Sequence, residues 1–273
     1  MRANEDSTSR YTVPALARGL ELLGHFSRQE RELSGALLAK RTRWPRASVF
    51  RMLQTLEQAG FVERVGESTN YKLGVAVLKL GFEYLSSMEL TEYGLPILET
   101  LSQASGYSAH IVVRDGKEVV FVAKTQGRQA LFHSIQVGAR LPAHATVIGR
   151  VLLADISLQA LEQLYAGDPM PRYSSTTPAS VAALKAMVDA HASQGHGVSQ
   201  GGYEPGISTV AAPVFDGKGQ VCAAISITIP AGIIEATRVK LLSAQVRDAA
   251  HQLSARMRHM PSVPHANSYG PAK

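Results

Sequence analysis

The stretch "WPRASVFRMLQTLEQAGF", Trp44 to Phe61, decides how the first part of this chain is read. Val49, Leu53 and Leu56 recur at helical spacing with Met52 beside them, so they form one apolar stripe. At the helical turn per residue, Ala47, Phe50, Arg51 and Gln54 point toward the opposite side. Gly60 predicts a left-handed helix end, after which Phe61 folds back onto the helix. The stripe is built to pack, and the other face is left for solvent or a partner.

The neighbours of this helix supply its context. In "PALARGLELLGHF" Leu16, Leu20, Leu23 and Phe26 predict a helix begun at Pro14. In "LSGALLAKRT" Ser34 caps a second helix, while Leu33 and Leu38 make a hydrophobic staple. After Gly60, "FVERVGESTNYKLG" holds two strand-like runs around Gly66 to Asn70, a hairpin. Three short helices and a hairpin within residues 10–74 read as a winged helix-turn-helix.

That segment is also the basic part of the chain. It holds eleven Lys or Arg against six acids, in a protein whose net charge is +6. Charge alone leaves open whether this is a polyanion-binding module or a solvated basic face. Placement narrows it. Arg43 and Arg46 flank the start of the third helix, Arg51 lies one turn in, and Arg64 and Lys72 sit on the hairpin, so all five are expected to converge on one docking surface. Helix-turn-helix proteins insert the N-terminal part of the second motif helix into the major groove, where Arg reads guanine. The candidate DNA contacts are therefore Arg43, Arg46, Ala47, Ser48, Phe50, Arg51, Arg64 and Lys72. Phe50 fits either a thymine methyl or packing against the hairpin or second helix.

Residues 75–105 read as mostly helical, with Val75, Leu78, Phe82, Leu85 and Met88 three and four apart and Pro96 expected to break or kink the run. The stripe reads equally as a dimer seam or as ordinary packing. From Tyr107 the texture becomes strand-like: "YSAHIVV", "EVVFVAK" and "ALFHSIQ" follow one another, the first two joined across "RDGK". Helical patterns cover 145–154, 158–165 and 179–194, then strands "STVAAPVF" and "QVCAAISITIP", then a helix over 233–257. Residues 91–258 thus form an α+β domain with an antiparallel sheet and helices packed on it. Residues 1–10 and the tail 259–273 are polar and aperiodic and are expected to be disordered.

In "VCAAISITI", Val221, Ala223, Ile225, Ile227 and Ile229 share a face expected to lie under helices, while Cys222, Ala224, Ser226 and Thr228 share the other. Alternation leaves open whether that second face lines a pocket or meets water. Other function classes find little support. There is no long apolar span or signal segment, and the single Cys222 fits a reducing cytoplasm. His110, His133, His144 and His196 are scattered without acidic or thiol companions, and no P-loop or G-x-S-x-G occurs. No enzyme activity, cofactor or metal is expected.

Both halves resemble the IclR-type bacterial transcriptional regulators. The opening stretch is similar to that family's helix-turn-helix pattern, and "VGARLPAHATVIGRVLLA" and "YEPGISTVAAPVFDGKGQVCAAISITIP" resemble its later motifs in order, over roughly residues 12–257. Trp44 departs from the Leu or similar residue the family commonly has after Gly. The resemblance implies a winged-helix DNA-binding domain, a linker helix and a GAF-like effector domain, in dimers that often pair into tetramers. It carries effector contacts onto His133, Val147, Ile148, Ser199, Thr209, Ser226 and Thr228, with Ile207 as an apolar wall. The function expected is a ligand-responsive regulator on a pseudo-palindromic double-stranded operator. Its effector is expected to be a small organic acid, aromatic or aliphatic, held by hydroxyls and by backbone N–H groups near Ala145. The alternative is a small-molecule sensor whose winged helix contacts protein.

Overall fold

The computed structural model describes residues 12–27, 29–129 and 135–258. The expectations for residues 1–10, the tail 259–273, His133 and most of the strand "ALFHSIQ" lie outside the described residues; its described end, Ile135 and Gln136, is not strand. The chain divides between Ser87 and Met88 into two compact units.

The first unit is organised around Leu22, Phe26, Leu33, Leu38, Val49, Leu53, Val62 and Tyr71. In α1 (Pro14–Gly24) only the second half meets this core, through Gly19 and Leu22. The expected stripe is therefore split: Leu23 packs at the core's edge, whereas Leu16 is 62% exposed and Leu20 similarly so. Strand β1 (Leu33–Ser34) leads into α2 (Gly35–Thr42), where the Ser34 hydroxyl accepts from the Leu37 N–H at 3.1 Å and Leu33 and Leu38 are both buried. Helix α3 (Arg46–Gln58) buries Val49 and Leu53 and sets Met52 and Leu56 at the core's edge. Gly60 turns left-handed at φ 75°. Strands β2 (Val62–Arg64) and β3 (Asn70–Leu73) form the wing, and β1 adds to the other edge of β3. A Cβ on Gly74 would lie 2.2 Å from the Gly60 carbonyl oxygen, so only glycine lets the wing close on the end of α3.

Between α2 and α3 stands the one non-glycine residue among those described with positive φ, Arg43 at 59°. Left-handed backbone costs an L-residue roughly 1 kcal/mol. Beside it Trp44 packs at the core's edge, and the Arg18 guanidinium stacks over its ring at 5.4 Å.

Helix α4 (Ala76–Ser86) buries none of its residues; Val75, Leu78, Leu80 and Phe82 all face outward, Phe82 at 67% exposure. The helical run does not break at Pro96. It breaks at Ser87 and Met88, and Pro96 lies inside α5 (Glu89–Ser105) on its exposed side, where the carbonyl left without a partner has access to water.

The second unit is one antiparallel sheet in the order β6-β5-β4-β9-β8-β7, from strands β4 (Ser108–Asp115), β5 (Glu118–Thr125), β6 (Arg140–Pro142), β7 (Gly197–Gln200), β8 (Ser208–Phe215) and β9 (Val221–Ile229). The short edge strands β6 and β7 lack the length for a periodic signal and were not foreseen in the sequence. Helix α5 and α9 (Ala236–Met257) cover one face. Helices α6 (Val147–Leu152), α7 (Leu158–Leu164) and α8 (Val181–Gln194) lie on the other, over a core that includes Val112, Phe121, Ala211 and Ala224. Ala223, Ile225, Ile227 and Ile229 of β9 are buried as expected, but Val221 is not on their face. The register shifts next to Cys222, so Val221 pairs with Phe215 and packs against the core cluster that includes Ala224 instead. No helix among the described residues is long and apolar enough to cross a membrane.

Candidate functional site

The exposed side of α3 follows from its buried side. With Val49 and Leu53 anchored, Arg46, Ala47, Phe50 and Arg51 are exposed and Ser48 is half-buried, its N–H bonded to the Pro45 carbonyl. Phe50 remains 48% exposed. Arg43 is exposed on the turn just before.

The wing does not present its two cations together. Lys72 lies opposite Glu63 and Arg64 opposite Tyr71, which places Lys72 on the outer face of the hairpin and Arg64 on the face of buried Val62 and Tyr71. Arg64 is tied inward: it donates to the Tyr71 hydroxyl at 3.0 Å, stacks on that ring and pairs with Glu57 of α3 at 3.5 Å. Lys72 pairs with Glu63 at 3.3 Å on the exposed surface, a contact worth little in water. The expected convergence of Arg64 and Lys72 on one surface is thus corrected: two-residue alternation puts them on opposite faces.

In the second unit, register creates the site. Ser108 pairs with Thr228, Thr228 with Thr209, and Thr209 with Ser199. Directly opposed residues share a face, so four hydroxyls from β4, β9, β8 and β7 form one rung across the sheet. The next rung is His110, Ser226, Ala211 and Gly197. It is small at its far end for a reason: a Cβ on Gly197 would come 2.5 Å from the Val147 side chain, so α6 seats itself there. The hydroxyl rung is left uncovered and becomes the floor of a cavity of about 850 Å³ including its open mouth.

Thr146, Val147 and Ile148 form the roof, and Ile135, Leu141 and Ile207 add apolar wall. Thr146 caps α6, accepting from the Gly149 N–H at 3.1 Å. Tyr203 and Glu204 of the β7–β8 loop stand at the rim. That loop is fastened by Ser174 and Thr176, whose hydroxyls bond the Gly202 carbonyl. Of the residues carried over by resemblance, Val147, Ile148, Ser199, Ile207, Thr209 and Thr228 line the cavity together. Ser226 does not; it is fully buried one rung deeper. The hydroxyls of Ser199, Thr209 and Thr228 make no hydrogen bond among the described residues, whereas Ser108 accepts from the Gly127 N–H at 3.2 Å.

Sequence reading missed Ser108, His110, Thr146 and the rim residues. Ser108 and His110 carry the same two-residue alternation as β9, but their place in the cavity depends on which strand β4 pairs with. His110 is 1% exposed, its ring edge-on to Phe121 at 5.4 Å and held against the Ser226 backbone, its one polar neighbour there, in a contact short of full hydrogen-bond geometry. Burial, helped by the positive charge of Lys124 opposite, pulls its pKa down to about 4, so the ring is neutral near pH 7. Among the described lining residues there is no lysine or arginine. A bound anion would be held by hydroxyl and N–H donors. Burial pushes the Cys222 thiol up to about 12, which leaves it unreactive.

A family model described as "IclR helix-turn-helix domain" matches residues 15–66, and one described as "Bacterial transcriptional regulator IclR C-terminal" matches residues 82–255. The Pca regulon regulatory protein of Pseudomonas putida is 31% identical, covering 88% of this chain and 84% of that protein. A transcriptional regulator of known structure from Rhodococcus sp. RHA1 is 31% identical with a TM-score of 0.76, covering 91% of this chain and 99% of that one. The fold is also that of an IclR homologue from Microbacterium hydrocarbonoxydans complexed with 4-hydroxybenzoate, at 24% identity and a TM-score of 0.76, covering 90% and 100%.

Proposed function

The chain belongs to the IclR family of bacterial DNA-binding transcriptional regulators, and from that premise we propose that it responds to a small organic acid bound over the hydroxyl rung. The observation that carries this reading is the set of three hydroxyls, on Ser199, Thr209 and Thr228, that line a cavity yet bond to nothing among the described residues. Such donors beside apolar walls suit a carboxylate on a small aromatic or branched body. The 4-hydroxybenzoate complex of the Microbacterium homologue supports that class. A thermal-shift screen of aliphatic and aromatic acids tests it, because ligand at 100 times its Kd adds about 2.7 kcal/mol to the folded state. If no acid raises the melting temperature or alters operator binding, the reading fails.

On the DNA side, the exposed arginines of α3 and its preceding turn serve as the docking surface for a pseudo-palindromic operator, with Phe50 against a thymine methyl. Arg64 acts there as a brace between wing and α3 more than as a phosphate ligand. Two half-sites call for a homodimer or tetramer, and the outward apolar side chains of α4 are the seam we assign to it. Sedimentation of the intact chain as a monomer at micromolar concentration, with full operator affinity, would remove that seam. Domain bounds of 10–74, 75–90 and 91–258 remain our working division. The family match leaves the protein-docking alternative for the winged helix without a supporting observation.

A further inference from the structure

The short helix over the cavity carries a buried charge that the fold does not neutralise. Arg150 of α6 is 5% exposed. Its guanidinium donates to the His144 carbonyl at 3.4 Å, its Nε has no partner, and no carboxylate pairs with it among the described residues. Burial pulls its pKa down to about 10, so the group stays charged near pH 7. Its neighbour His191, held down to about 4 by burial and by Arg150 itself, is neutral there and brings no negative charge. An interior charge without a counter-ion is costly, and buried charges are ordinarily paired.

Arg150 stands one turn on from the roof of the cavity. Its backbone N–H bonds the Thr146 carbonyl at 3.1 Å, and Thr146, Val147 and Ile148 line the cavity. Long side chains on a helix lean back toward its N-terminus, and the bond to His144 shows that this one does. A helix with its side chains is about 10 Å across, so an anion under the roof lies within about 10 Å of the guanidinium.

Resting on the small-acid reading above, we propose that Arg150 is the counter-charge of the bound acid, acting through the cavity wall without touching the ligand. The hydroxyl rung positions the carboxylate, and Arg150 makes the site prefer an anion to a neutral molecule of the same shape. Opposite charges about 10 Å apart at an effective dielectric of about 20 attract strongly enough to change affinity about tenfold. Two other charges lie near the cavity, Lys124 opposite His110 and Glu204 at the rim. Lys124 is half-buried and Glu204 exposed, so water screens both more than it screens Arg150.

The full-length protein is titrated calorimetrically with three acids and their amides: benzoate and benzamide, 4-hydroxybenzoate and 4-hydroxybenzamide, 3-methylbutanoate and 3-methylbutanamide. Wild type is compared with Arg150→Gln, Arg150→Met and Arg150→Lys. Glutamine can still donate to the His144 carbonyl and methionine only fills the space, so agreement between them isolates the charge and covers the failure of either to fold. Both neutral variants lose about tenfold in affinity for each acid that wild type binds and bind its amide as wild type does. Arg150→Lys keeps most of the acid affinity, which a purely structural role for the guanidinium would not allow. An acid affinity undiminished in the neutral variants, or an equal loss for acid and amide, overturns the role of Arg150 and leaves the small-acid reading standing. Failure of wild type to bind any acid in the wider screen overturns both.

Discussion

The outer face of α3 and the floor of the cavity are both rows of unsatisfied polar side chains, but they are unsatisfied in opposite ways. The arginines of α3 stand in water, already solvated. Beside that floor, on the next rung, His110 is sealed from water, and burying its ring with poor polar partners costs free energy in the apo fold. The first region can change its charges with little effect on folding. In the second, a buried ring ties its charge state to folding.

The largest expected effect that tests this contrast is pH-dependent. His110 is held near a pKa of about 4 when folded, below the ordinary histidine value of 6.5. A lowered folded pKa gives stability that is fully present above about 6.5 and is lost as pH falls toward 4, because the unfolded chain takes up the proton first. The loss approaches about 3 kcal/mol. His191, also held down to about 4 by burial, adds to the same trend. Denaturant titrations between pH 7 and 4 should show a shallower decline in His110→Phe than in wild type. Equal slopes would mean that the ring is solvated after all.

On the DNA side, Arg46→Ala and Arg51→Ala should each weaken specific operator binding by about 1–3 kcal/mol while leaving the melting temperature nearly unchanged. Lys72→Ala should weaken all sequences alike and by less. Melting temperatures that fall in step with affinity would erase the contrast between the two regions.

The smallest effect falls where the regions' rules meet. Arg43 is exposed like the other arginines yet holds a left-handed backbone. Arg43→Gly should gain about 0.5–1 kcal/mol of stability by relieving it. If Arg43 also touches a phosphate, the same variant lowers the salt slope of DNA binding by about one. A stability loss on this substitution would show that the strain is absent.

How far each region could be read in the sequence follows the same division. The helix-turn-helix is a local object. The Ser34 cap, the Leu33 and Leu38 staple, the Val49 and Leu53 stripe and the Gly60 turn each rest on residues a few positions apart, and each is found where spacing puts it. What spacing could not show was that only part of α1 meets a core, or that Arg64 and Lys72 point apart, since both depend on partners. The cavity is non-local throughout. Alternation within β9 puts Thr228 and Ser226 on one face, but only the pairing of four strands puts Ser108, Thr228, Thr209 and Ser199 on one rung and leaves Ser226 beneath the floor. The bulge at Cys222 misplaced Val221 for a related reason, because an extra residue resets the phase without a mark in the sequence. Tyr203 and Glu204 sit on a loop, where no period exists to reveal them.

The central claim is that an acid on the hydroxyl rung changes how this regulator binds DNA, and Thr228→Val tests it most directly. Valine keeps the shape of threonine and removes a hydroxyl that has no partner among the described residues, so apo stability should hold within about 0.5 kcal/mol. Operator gel shifts are then compared with and without an acid that raises the wild-type melting temperature. The account predicts that the acid alters operator affinity in wild type and has little effect on Thr228→Val, while both bind operator equally without it. An undiminished response in Thr228→Val would contradict it.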